Sequence, residues 1–162
     1  MKNYLVFLVL IAMGLYSCEK EETKGAEIKN DPALAAELKA SPETIVIGNN
    51  SLLLETYLWR DFMPDGNTRG SALFSVNKLT GDVGAAIPES ISLKKQYVIK
   101  GDEIWISDYS EVRNSPANVL EGVVRDGPEW GPDINVDVVC EFERGGQTFR
   151  IMAKSQKIHA TY

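Results

Sequence analysis

The chain is poor in the residues from which most catalytic and metal sites are built. It has one histidine, His159, three residues from the C-terminus. A histidine triad or metal site there would need the chain end held rigidly, and chain ends are seldom held so. Cysteine is almost as scarce, with only Cys18 and Cys140, so there is no paired Cys-x-x-Cys for zinc or redox chemistry. His-Glu-x-x-His and the phosphate-binding loop are absent. Gly81-Asp-Val-Gly-Ala-Ala86 is rich in glycine, but it lacks the dinucleotide spacing and no helical pattern comes after it. The longest apolar run, Tyr4 to Leu15, has 12 residues, whereas a helix needs ~20 to cross a bilayer. Positive charge is also short: 17 Lys and Arg stand against 23 Asp and Glu, a net charge of −6. An acidic chain without a basic block has little attraction for phosphate backbones, so no nucleic-acid partner is expected.

Carboxylates are plentiful, and counting alone leaves a carboxylate-dependent hydrolase open as an alternative. Asp61 and Asp65, and Asp126, Glu129 and Asp133, fall in stretches read as loops. Oxygen atoms gathered there would suit calcium, which takes roughly six to eight oxygen ligands, but no EF-hand register is present. The simpler reading is turn chemistry, in which aspartate caps its own backbone. No catalytic residue, cofactor or metal is therefore expected.

What the chain does have is a distinctive beginning. Lys2 is the only charge before Cys18, the apolar run ends near Leu15, and Glu19-Lys-Glu-Glu22 comes directly after the cysteine. A positive start, a short apolar middle and a small residue at the exit make a secretory leader. Leu15-Tyr-Ser-Cys18 resembles the lipobox of bacterial lipoproteins, with Leu15, Ser17 and Cys18 in register and Tyr16 bulkier than usual. The resemblance implies cleavage before Cys18 and acylation of that cysteine, so that 1–17 is the signal peptide and Cys18 the lipid attachment. More than one acyl chain is needed for stable anchoring. Glu19 to Glu22 is similar to the lysine-and-acid export signal of Bacteroidota lipoproteins. That implies an outer-membrane lipoprotein of the bacterial cell envelope, displayed on its surface.

Residues 18–42 read as a polar tether. Within it, Asp31-Pro32 followed by ALAAELKA is the start of a short helix, with Asp31 as N-cap, ended at Ser41-Pro42. From 43 to 162 the pattern changes to short β-branched and aromatic runs separated by turns. Eight candidate strands occupy 44–47, 51–62, 71–79, 93–99, 103–109, 118–124, 134–142 and 148–154. Lys100-Gly-Asp102 and Arg144-Gly-Gly-Gln147 read as hairpin turns, and Asp65-Gly-Asn67 as a turn in a longer connection. The expected fold is all-β, an immunoglobulin-like antiparallel sandwich of seven to eight strands, with a small antiparallel barrel as the alternative. LETYLWRDFMP (53–64) and RDGPEWGPDINVDVV (125–139) are similar to segments of small exported bacterial proteins, which implies an immunoglobulin-like fold and no activity.

Alternation sorts the faces. Leu52, Leu54, Leu58 and Phe62 point one way, and Leu53, Glu55, Tyr57 and Trp59 the other. Ile104 and Ile106 oppose Trp105, Ser107 and Tyr109; Phe149, Ile151 and Ala153 oppose Arg150, Met152 and Lys154. Taking the aliphatic rows as core leaves Tyr57, Trp59, Trp105 and Tyr109 as a candidate surface for a ligand or partner. Trp130, between two Gly-Pro units in Arg125 to Asp133, is a further candidate, read either as a presented indole or as a lid over one end of the sandwich. Cys140 shares a strand face with Ile134, Val136, Val138 and Phe142 and reads as a small buried hydrophobe. The expectation is a lipid-anchored binding protein without catalysis, its partner a glycan, a peptide or another envelope protein. The alternative is a structural subunit of an envelope complex.

Overall fold

The structure is a computed structural model and describes residues 27–63, 70–82, 85–114 and 116–162. The leader, Cys18 and the 65–67 turn lie outside the described residues. The elements in chain order are β1 (Glu27–Asn30), α1 (Pro32–Lys39), β2 (Thr44–Ile47), β3 (Asn50–Asp61), β4 (Phe74–Thr80), β5 (Ile91–Lys100), β6 (Glu103–Asp108), β7 (Glu111–Asn114), β8 (Val119–Val124), β9 (Asn135–Arg144) and β10 (Gln147–Thr161). No helix among the described residues is long and apolar enough to cross a membrane.

The fold is all-β with one short helix, and all eight expected strands form. β1 and β7 are additional, with sequences EIKN and EVRN. They pair on one side only, at the two ends of the strand order β1-β6-β5-β9-β10-β3-β4-β8-β7, while β2 joins β3. Edge strands commonly carry charge, which blunts pairing with other chains and also hides them from an apolar-alternation reading.

β10 determines the shape. Its first part pairs antiparallel with β9, from Gln147↔Arg144 to Ala153↔Val138. The register slips between Ala153 and Gln156, where Ser155 has φ 52°. Its last part then runs parallel to β3, from Ile158↔Leu58 to Thr161↔Asp61. A bulge of this kind bends a strand and re-aims the residues beyond it. The sheet thus curls into a back half (β1, β6, β5, β9, first part of β10) and a front half (last part of β10, β2, β3, β4, β8, β7). The expectation of purely antiparallel pairing is corrected at this one junction.

One core lies between the halves. Leu52, Leu54, Leu58, Leu79, Leu120 and Val124 from the front meet Leu93, Val98, Trp105, Val138, Cys140, Phe142 and Ile151 from the back. A second cluster covers the outer side of the back half: Ala35 and Leu38 of α1 pack with Tyr97, Ile99, Ile104, Val139 and Met152. The central back strands are therefore buried on both faces. This accounts for unbroken apolar runs such as Tyr97-Val-Ile99 and Val138-Val-Cys140, where alternation gives no guidance.

The reading of 18–42 as a tether is corrected for its described part. The helix forms as expected: Asp31 Oδ1 accepts from the Leu34 amide at 3.0 Å and Pro32 opens the first turn. It is not detached, however. Leu38 is fully buried, Arg150 Nη1 donates to Glu37 Oε1 at 2.7 Å, and β1 pairs with β6 over four residues. Burying one leucine side chain contributes about 1.5–3 kcal/mol, enough to hold so short a segment against the sheet.

Candidate functional site

The structure separates the five aromatic residues singled out in the sequence. Trp105 is fully buried in the main core, and Trp130 is 9% exposed and belongs to the same cluster. Tyr109 packs on that core, its hydroxyl accepting from Asn77 Nδ2 at 3.2 Å. Tyr57, at 49% exposure, and half-buried Trp59 face outward. The four-residue surface of 57, 59, 105 and 109 is thus corrected to two residues. The physical reason is α1. It covers the Ile104 face of β6, so the opposite row, Trp105 and Tyr109, turns to the main core.

The inward aromatics are fitted against glycines. A Cβ at Gly127 would lie 2.5 Å from Trp105 Cη2, and one at Gly122 would overlap the Tyr109 ring. Trp130 acts as a lid, with Lys100 Nζ 4.7 Å from its ring centroid. Its loop is pinned by Arg60, which is 4% exposed. Arg60 Nη1 donates to the carbonyls of Glu129 at 3.1 Å and Gly131 at 3.0 Å, and its Nε to that of Ser71 at 2.8 Å. Arg60 has the parity of Leu54 and Leu58, so alternation places it inward, but its charge conceals this in the sequence.

A polar knot sits in the core. Ser75, Asn77 and Gln96 are fully buried, and Asn77 Nδ2 also donates to Gln96 Oε1 at 2.8 Å. Cys140 adjoins it, and burial pushes its thiol pKa up to about 12. Burial raises the Tyr109 phenol well above its ordinary value too. A thiol held protonated is a poor nucleophile, so Cys140 is the buried hydrophobe that its strand position indicates. Asp61 Oδ1 accepts from the Met63 amide at 2.9 Å, the turn capping expected of it. Among the described residues, no three His, Cys, Asp or Glu side chains come together to hold a metal ion.

The outer face of the front half carries a continuous aromatic row. Pairing places His159 beside Trp59, Tyr57 beside Val76, and Trp59 beside Phe74. His159 stacks on Tyr57 with centroids 5.1 Å apart and planes at 16°; Tyr57 and Trp59 are 5.4 Å apart at 34°; Trp59 stacks on Phe74 at 5.3 Å and 17°. The Arg125 guanidinium lies 5.8 Å from the Phe74 centroid and closes the row. Rings side by side in one plane cannot approach so closely, because facing carbons would come within roughly 2.5 Å, well under van der Waals separation. The rings therefore overlap like shingles, each covering part of its neighbour's face. Val46, 69% exposed, and Leu53, 49% exposed, extend the apolar surface along β2 and β3.

Two members of this row, His159 and Phe74, escape a reading of the sequence. A histidine so near the chain end looks unconstrained, yet parallel pairing with β3 fixes it. Phe74 and Val76 look like core beside Ser75 and Asn77, but the polar pair is the inward one, because it builds the knot. Set against protein-family models, curated proteins and solved structures, the chain matches none of them.

Proposed function

We propose that the chain is a lipid-anchored binding protein of the bacterial cell envelope, held at the outer membrane through Cys18, which docks on another envelope protein without performing catalysis. The observation that carries this reading is the aromatic row His159, Tyr57, Trp59 and Phe74, outward on the front half and continued by exposed Val46 and Leu53. Aromatic residues and arginine at the centre of an exposed apolar patch are the composition of a protein interface. A sugar ring stacks on a flat aromatic face. In the row each ring's face is partly covered by its neighbour, which favours a protein partner over a glycan. The fold is of immunoglobulin-like type in this proposal, supported by two packed halves around one core and by hairpin connections.

The test is photo-crosslinking from Val46 and Tyr57 in native membranes. The expected outcome is one discrete crosslinked species from both positions and none from Lys29, which is exposed on β1 at the far edge of the back half. Release of Cys18→Ala protein from the membrane fraction tests the anchor. Equal crosslinking from all three positions, or none from any, overturns the docking reading.

A further inference from the structure

We infer that the notch beside Tyr57 receives an arginine side chain of the partner protein. The inference rests on the docking reading and names the chemistry of the docked surface. The notch is an open depression of about 130 Å³ lined by Glu55, Thr56, Tyr57, Val76 and Lys78.

Its unmet charge is negative. Glu55 and Lys78 are cross-strand partners in the β3–β4 register, an arrangement that ordinarily pairs opposite charges. Lys78 Nζ instead turns to Glu121 Oε2, 3.5 Å away. Glu121 is also approached by Arg113 Nη1 at 3.6 Å. The Glu55 carboxylate is left exposed, with no hydrogen bond or ion pair among the described residues. The other charges around the row are engaged: Arg125 with Glu111 at 3.8 Å, and Lys157 with Asp133 at 2.8 Å.

A lone carboxylate next to a half-exposed tyrosine ring and an apolar floor at Val76 suits a guanidinium. Its fork matches the carboxylate, its plane packs on the ring, and its methylene stem covers Val76. The surplus of acid over base in the whole chain adds long-range attraction of the same sign. An acidic side chain would have only Lys78, whose charge is already shared with Glu121.

The test is a titration of the nitrogen-labelled full chain in detergent with N-acetyl-arginine-methylamide and its neutral isostere N-acetyl-citrulline-methylamide, monitored by amide chemical shifts. Saturable shifts centred on Glu55, Tyr57, Val76 and Lys78 are expected with the arginine compound and not with citrulline. Glu55→Gln, an exposed change that leaves the fold intact, should weaken binding about fivefold, the size of one exposed ion pair. An equal response to both compounds, an unchanged response in Glu55→Gln, or a preference for N-acetyl-aspartate-methylamide overturns the inference. The two proposals fail distinguishably: a crosslinked partner without an arginine response overturns the notch alone, and an arginine response without a crosslinked partner shows that the notch binds a guanidinium but overturns docking and, with it, a partner protein as the source of that arginine.

Discussion

The most consequential single residues are those whose character their surroundings reverse. Arg60 is a charged side chain turned into an internal clamp for two loops, and Cys140 is a reactive residue type made inert. The thiol makes a testable statement about pH. Burial raises the folded-state pKa of Cys140 to about 12, above its ordinary value of 9.0. Tyr97 is raised from 10.0 to about 12, first by burial and then by the Glu141 carboxylate. These groups are neutral when protonated, and the folded chain holds their protons more tightly than the unfolded chain. Their contribution is therefore fully present below the unfolded pKa values and lost as pH rises from about 9 towards 12. Urea unfolding from pH 8 to 11 should show stability falling from about pH 9. In Cys140→Ala the fall should begin nearer pH 10, where the tyrosines alone act. Iodoacetamide at pH 8 should leave Cys140 unlabelled in native protein and label it in urea.

Among the elements, α1 changes the domain most. Leu38→Ala removes its only fully buried side chain, and a loss of about 2–4 kcal/mol is expected, read as a lower urea midpoint. A detached tether would show no change. This is also where the sequence is least informative. Eight strands are legible because Gly, Pro and Asp turns punctuate β-branched runs, and the Asp31 cap is legible because Asp-Pro is a local signal. The docking of α1 is not, since Ala35 and Leu38 make too short an apolar stripe to announce a buried face. Without that helix in place, alternation on β6 assigns Trp105 and Tyr109 to the wrong side. On β3, where no helix intervenes, alternation puts Tyr57 and Trp59 on the correct side. Half of the candidate site is therefore legible, and Phe74 and His159 depend on pairings distant in sequence.

At the scale of the whole molecule, the two halves share β10 and the main core, so the front half has no interior apart from the back half. Unfolding should be a single event. Tryptophan fluorescence, far-ultraviolet circular dichroism and Cys140 labelling should give one common urea midpoint, since coincidence of probes marks an all-or-none transition. A front half that melts first, seen as an early fluorescence change before any labelling, would show that the halves are separable.

The parallel junction of β10 with β3 joins Ile158 to Leu58, two stretches far apart along the chain. Loops of that length close slowly, and distant pairings of this kind set the pace of folding. During synthesis, the Leu58 end of β3 has to wait for the Ile158 stretch before that side of it is occupied. The nascent polypeptide consequently remains unlocked along that edge of β3 until the Ile158 stretch has been made.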